Sequence, residues 1–414
     1  MAWPEIPIRR VVECLDGRRV PLNREQRSDI PGDVPYWGAG GVLDYICDSI
    51  FNEPLVLVGE DGAPFFDKSK NVAFYIEGPA WVNNHIHALR AVGCEPRFLM
   101  YALNAVDYSR YITGTTRDKL TQDDLKRINI PAPSIGEQRR IADFLDAETS
   151  RIDNLVGASQ RLREGLLERR VAGVIAAVSG QGLVEGLRPT KLPWLEAIAV
   201  DWPEIRLGLV AKMGSGHTPS RSRPEWWQNC TIPWITTGEV KQVRNDRLED
   251  LAQTREMISE VGLANSAAEL HPKGTVVLCR TASAGYSAVM ASDMATSQDF
   301  VTWTCGPRLN PYYLLWCLRA MRSDLLGRLA MGSTHKTIYV PDLQMLRIPL
   351  PPLDMQIKIV ELIRQQNRRI DGLVDAVDKR ISLLAERRTS LITAAVTGQL
   401  DVTTASGRNL TQGV

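Results

Sequence analysis

An internal repeat constrains the fold of this chain more than any other feature of its sequence. Residues 130–181 begin Ile130-Pro131-Ala132-Pro133 and close Ala176-Ala177-Val178-Ser179-Gly180-Gln181, while residues 348–399 begin Ile348-Pro349-Leu350-Pro351 and close Ala394-Ala395-Val396-Thr397-Gly398-Gln399. The offset is 218 without a gap, and 20 of 52 positions are identical. Gln138 matches Gln356, Arg151-Ile152-Asp153 matches Arg369-Ile370-Asp371, and Glu168-Arg169-Arg170 matches Glu386-Arg387-Arg388. Trp3-Pro4-Glu5-Ile6 returns as Trp202-Pro203-Glu204-Ile205, and Gly114-Thr115-Thr116 as Gly332-Ser333-Thr334. The chain therefore reads as two halves, Trp3 to Gln181 and Trp202 to Gln399, joined by a linker over 182–201.

Each Ile-Pro-x-Pro signal excludes helix, and the apolar period downstream of it is helical. Ile152, Leu155, Leu162, Leu166, Gly173 and Ala177 recur at helical spacing in the first copy, and Ile370, Leu373, Val377, Ile381, Leu384, Leu391 and Ala395 in the second. Each copy predicts one long helix closed by Gly180 or Gly398. Roughly 44 helical residues make a rod of roughly 65 Å. An amphipathic rod of that length needs a partner, so the two are expected to pack on each other as an antiparallel coiled coil, with a globular region placed at each end.

The 414 residues, 44% apolar and 23% charged, suit two or three cored domains and exclude disordered and collagen-like classes. No run approaches the ~18 apolar residues of a membrane helix, and Met1 to Glu5 lacks a signal segment, so a cytoplasmic chain without membrane contact is expected. Seven cysteines without a CxxC pair predict reduced, mostly buried thiols and no zinc ribbon. Lys plus Arg number 49 against 48 Asp plus Glu. Any electrostatic footprint of nucleic acid must then be local.

The globular regions, residues 1–129 and about 202–347, read as mixed α and β. Leu55 to Val58 and Thr275 to Leu278 are strand-like, and Phe98 to Leu103 and Tyr312 to Leu318 are helix-like at matching places. Catalytic signatures are absent. No Gly-Lys pair exists for a phosphate-binding loop, and Asn310-Pro311-Tyr312-Tyr313 reads better as an Asn cap followed by Pro than as a base-holding methyltransferase loop. His85 and His87 lack ligand partners at metal spacing, and Glu60-Asp61 reads as a solvated turn. A non-catalytic chain with no cofactor and no metal is expected.

These residues resemble the specificity subunits of type I restriction-modification systems. The likeness rests on the duplicated Ile-Pro-x-Pro…Gln helices ending Glu-Arg-Arg…Ala-Ala-Val-Ser/Thr-Gly-Gln, and on the module opening Trp202-Pro203-Glu204-Ile205-Arg206-Leu207…Gly214-Ser215-Gly216-His217-Thr218-Pro219-Ser220. In the first module Pro35-Tyr36-Trp37-Gly38-Ala39 and Trp81-Val82-Asn83-Asn84-His85 are similar to one class of target recognition domain. The resemblance implies an α+β fold with an internal pseudo-twofold repeat: recognition domains at 1–129 and 202–347, helical spacers at 130–181 and 348–402, and a flexible C-terminal tail at 403–414. It implies that each domain reads half of a bipartite double-stranded DNA target. The helices would set the spacer and dock two methyltransferase subunits, and restriction subunits carrying nuclease and translocase would join that core. The competing reading is a coiled-coil interaction scaffold that reads no DNA.

Residues that read bases must be polar and lie on loops able to enter a groove. In the first module these are Tyr36, Lys68, Lys70, Asn83, Asn84, His85, Thr115, Thr116 and Arg117. In the second they are Ser215, His217, Thr218, Ser220, Arg221, Arg223, Thr236, Thr237, Arg280, Ser283, Gln298, Ser333, Thr334, His335 and Lys336. Net charge is −3 over 1–129 and +2 over 182–347, so neither module is strongly basic.

Overall fold

The computed structural model describes residues 3–112, 118–331 and 336–402. Within each half the repeated signals pair with one another. Glu5–Pro7 runs antiparallel to Asn129–Pro131 with Ile6 opposite Ile130, and Glu204–Arg206 runs antiparallel to Arg347–Pro349 with Ile205 opposite Ile348. The prolines fall in these short two-stranded ladders, where a missing N–H costs little. Immediately beyond, the long helices span Ile135–Ser179 and Leu353–Val396. Gly180 (φ 87°) and Gly398 (φ 74°) end them in the left-handed region. Gln181 N–H donates to Ala176 O and Gln399 N–H to Ala394 O, both at 2.9 Å, which closes each helix with the six-to-one bond of a Schellman turn.

The repeated glutamines join module to helix. Gln138 Oε1 accepts from Glu95 N–H at 2.9 Å, at the start of the helix Pro96–Asn104. Gln356 Oε1 accepts from Asn310 N–H at 2.8 Å, at the start of the helix Pro311–Ala320. Each side-chain amide also donates within its own Pro-x-Pro turn, to Pro133 O or Pro351 O. Both glutamines are buried with their polar atoms satisfied. Asn310 is a helix cap, its Oδ1 accepting from Tyr312 and Tyr313 N–H.

The chain divides into two compact units, Met1–Arg161 with Val377–Val414, and Leu162–Ala376. The division cuts both long helices, so each unit holds the start of one and the end of the other. In the first unit Ile141, Ala142 and Leu145 share a core with Ile392, Ala395 and Val396 and with Phe98, Leu99 and Leu103. In the second, Val174, Ala177 and Val178 share a core with Ile359, Val360 and Ile363 and with Tyr313, Leu314 and Trp316. The helices pack antiparallel within each unit, where Asp153 meets Arg388 and Arg170 meets Asp371.

The apolar seam differs from the sequence expectation. Leu155, Leu162 and Leu373 are exposed, while Ser159, Val374 and Asn367 are buried. The 3.6-residue turn drifts away from a strict heptad, and Ser159 is tolerated inside because its hydroxyl donates to Leu155 O at 2.8 Å.

The first unit carries two four-stranded sheets. One orders Val12–Cys14, Ile86–Ala91, Leu55–Gly59 and Ala73–Ile76, all antiparallel; the other orders Gly41–Ile46, Pro31–Gly38, Pro79–Val82 and Phe51–Asn52. The second unit carries a five-stranded sheet, Ala211–Ser215, Phe300–Cys305, Val276–Cys279, Ser287–Met290 and Asp250–Leu251, and a three-stranded one built on Ile232–Ile235. Residues 182–201 are folded: Leu187–Pro189 pairs with Ala197–Ala199, and Leu192, Leu195 and Ile198 enter the second core. Cys94, Cys279 and Cys317 are buried, and Cys47 is exposed, so fewer thiols are buried than composition suggested. Burial pushes Cys94, Cys279 and Cys317 up to about 12, which leaves them unreactive near neutrality. No helix among the described residues is long and apolar enough to cross a membrane.

Candidate nucleic-acid interface

In the second module the sheet delivers several predicted residues to one exposed rim. Ser215 ends the edge strand Ala211–Ser215, and the chain then turns through Gly216. A Cβ on Gly216 would stand 2.1 Å from Thr296 Oγ1 and 2.2 Å from its carbonyl oxygen, so only glycine permits this approach. That contact lets His217 N–H donate to Thr296 O at 2.9 Å. Thr218 Oγ1 then donates to Gln298 Oε1, and Arg280 Nε donates to Gln298 O at 3.0 Å. Thr218 and Arg280 are thus both bonded to Gln298, and Ser215 and His217 lie on the strand end and turn that lead into this group. Ile338 N–H donates to Arg280 O, bringing the segment that carries Lys336 alongside. Ser283 lies on the neighbouring turn, where Ala282 has φ 56°.

The next loop forms a second group. Arg221 stacks over Trp227 at 4.2 Å and pairs with Glu256 at 2.6 Å, both partners being well exposed. Ser220 bonds Ser222, and Arg223 lies 3.8 Å from Glu225. Thr236, expected to contact bases, instead holds a turn: its N–H and Oγ1 both bond the buried Glu239 in a capping box, and Thr237 beside it is exposed.

The first module departs further from expectation. Tyr36 is buried, its hydroxyl accepting from Leu22 N–H at 2.9 Å, and Asn83 is buried with Oδ1 accepting from His85 N–H. Neither side chain meets the requirement of exposure. Asn83 instead shapes the turn that exposes Asn84 and His85. Lys68 and Lys70 sit on a different turn; Lys70 pairs with Asp67, and Lys68 O accepts from Thr389 of the second long helix. Thr115, Thr116, Arg117, Ser333, Thr334 and His335 lie outside the described residues. Sequence reasoning missed the hairpin Pro31–Gly38/Gly41–Ile46, which exposes Val42, Leu43 and Tyr45 beside Asn83. The Gly-Ala-Gly-Gly turn at 38–41 was its sequence signal, directly after the Pro35-Tyr36-Trp37 motif.

His85 and His87 do not share a ligand face. His87 is buried, its Nδ1 2.6 Å from Asp16 and its Nε2 2.9 Å from Leu120 O. Glu60, read as solvated, is largely buried and accepts from Arg19 at 2.6 Å, with Lys119 at its other oxygen. Asp16, Glu60 and His87 lie close enough to share an ion, yet protein cations and the Ala88 N–H already occupy their oxygens, as in an ion-pair knot. Burial favours the neutral acids, but the bonds and charges of His87 and Arg19 outweigh it and hold both carboxylates below their ordinary range. A depressed folded-state pKa contributes stability that is complete above the unfolded value and lost as pH falls through the folded one. The thermal midpoint of the first unit should therefore fall between about pH 5 and pH 3, and Asp16→Asn should flatten that slope in calorimetry. An unchanged slope in the variant would rule out this assignment.

The chain thus packs two unlike modules, each within its own unit, against the start of one long helix and the end of the other. It belongs to the type I restriction modification DNA specificity domain family, which it matches over residues 2–162 and 199–373. A putative type I restriction enzyme specificity subunit of Haemophilus influenzae is 30% identical over 145 residues, which cover 35% of this chain and 37% of that protein. The EcoBI specificity subunit of Escherichia coli is 21% identical over 412 residues, 95% of this chain and 80% of that one. Among solved structures, a chain from a type I restriction-modification system superposes with a TM-score of 0.68 at 17% identity, covering 96% of this chain and 98% of that chain. The HsdS subunit of Thermoanaerobacter tengcongensis gives 0.52 at 17% identity, with 96% and 97% covered. The described residues thus adopt the α+β architecture of two mixed modules with two long helices packed together.

Proposed function

We propose that the chain is the DNA-reading subunit of a type I restriction-modification complex and performs no chemistry itself. The modules at 1–129 and 202–347 each read one half of a bipartite double-stranded target, and the helical segments 130–181 and 348–402 set the spacer and dock two methyltransferase subunits. Restriction subunits with nuclease and translocase act on that core. The observation that carries this reading is the contrast between framework and rim. The two modules hang from equivalent glutamines, proline ladders and helix caps, while their exposed loops differ in length and residue type: Ser215, His217, Thr218, Gln298 and Arg280 against Asn84, His85 and an apolar hairpin. A shared mount with unlike faces suits reading two unlike half-sequences. Lys68 and Lys70 sit where the helix end meets the module and serve that seat better than base contact.

With net charges of −3 and +2, the modules neutralise few phosphates. The purified chain should bind a target duplex at least about 100-fold more weakly than the complex with its methyltransferase subunits. Fluorescence anisotropy at physiological salt checks this. Equal affinity of chain and complex, or no preference of the complex for its methylated motif, would overturn the reading.

A further inference from the structure

The repeated Glu-Arg-Arg and Arg-Ile-Asp motifs have no duty in target reading, and the structure gives them one. In the second unit Arg170 is buried; its Nε lies 3.0 Å from Asp371 of the facing helix, and its Nη2 donates to Asp246 O of the second module at 2.9 Å. In the first unit Arg388, the repeat equivalent of Arg170, places Nε 3.3 Å from Asp153, the equivalent of Asp371. Its Nη1 donates to Asn71 Oδ1 of the first module at 3.1 Å. Each arginine thus bridges the partner helix and the module that belongs to the other repeat.

The contacted segments are firmly held in turn. Asp246 has φ 56°, an uncommon conformation for a residue with a side chain, and its carboxylate pairs with Arg322 in bidentate geometry at 2.6 and 2.7 Å. Arg247 beside it pairs with Asp375, one turn along from Asp371. In the first unit Thr389, next to Arg388, donates to Lys68 O at 3.0 Å. One planar guanidinium with several donors can hold two groups in different directions at once, whereas a lysine ammonium is a point charge.

We propose that Arg170 and Arg388 are positioning residues that seat each recognition module on the helix end supplied by the other repeat, fixing its angle on the helix pair and thereby the spacer at which both half-targets are read. The spacer part of this statement rests on the function proposed above; the seating part does not.

Hydrogen exchange on the full-length chain tests the seat. Arg170→Ala should speed exchange of residues 244–250 at least about tenfold and leave 68–72 unchanged, and Arg388→Ala should do the reverse. Arg170→Lys keeps the charge opposite Asp371 but cannot also reach the Asp246 carbonyl. It should therefore still loosen 244–250 while the helices stay paired, a result that a role confined to the helix pair would not give. In the complete complex, either Ala variant should raise methylation of targets whose spacer is one base pair longer or shorter by at least about tenfold, because a loosened module tolerates a second register. Unchanged exchange, or equal loosening of both segments by one substitution, would overturn the seating. Loosening with an unaltered spacer would overturn its link to spacing. A wild-type complex that methylates no bipartite target would sink the proposed function and leave the exchange result standing.

Discussion

Replacing Arg319 by alanine is expected to destabilise the unit Leu162–Ala376 by about 3–5 kcal/mol. Arg319 is buried in the helix Pro311–Ala320, where an apolar side chain would be ordinary. Its guanidinium donates to Asp246 O at 2.9 Å, Leu248 O at 2.6 Å and Ser287 O at 3.2 Å, and it lies 3.4 Å from the Asp246 carboxylate. Burial pulls its pKa down to about 10 and the Asp246 charge works against that, so the group stays protonated at neutral pH. Alanine would leave a cavity and strip buried carbonyls of their donor, and a desolvated acceptor without a partner costs more than the original bond contributed. Calorimetry should show one transition falling by about 10 °C while the transition of the other unit stays in place. A loss under about 1 kcal/mol would mean that Arg170, Arg247 and Arg322 hold the loop without Arg319.

The long helices, their glycine ends and the strands at Leu55–Gly59 and Val276–Cys279 were legible because they depend on local chemistry: apolar period, chain-breaking prolines and left-handed glycines. What could not be read was which helix end enters which core. Ile392 and Ala395 look like any apolar face until the fold sets them beside Phe98 and Leu99 of the other half. Exposure was the weakest point of the site reading. Tyr36 and Asn83 are polar, but their polar atoms are satisfied by nearby backbone, which allows burial. Thr236 was recoverable, since Thr236-Thr237-Gly238-Glu239 is a capping-box pattern. His87 could not be separated from His85 by strand alternation, which puts i and i+2 on one face; what separates them is that the strand begins only at Ile86. The members of the rim around Gln298 were each named from sequence, but their meeting was not readable, because they lie some eighty residues apart and come together only through the sheet register Ser215 to Val301.

Exchange of residues 202–347 for the corresponding module of a relative should have the largest effect of all, replacing one half of the target completely. Base-edge contacts contribute about 1–3 kcal/mol of discrimination each, so losing several removes recognition of the old half-sequence by orders of magnitude. The first module is built on its own sheets and its own Gln138 anchor, and among the described residues nothing in its core derives from 202–347. The graft should keep an acceptor for Arg170 at the Asp246 turn so that the incoming module is seated as the native one is. Mapping of methylated bases in cells carrying the exchanged chain together with its methyltransferase subunits measures the outcome directly. The account predicts a motif in which one half-sequence is new, the other is unchanged and the spacer is retained; a motif altered in both halves, or in neither, would contradict it.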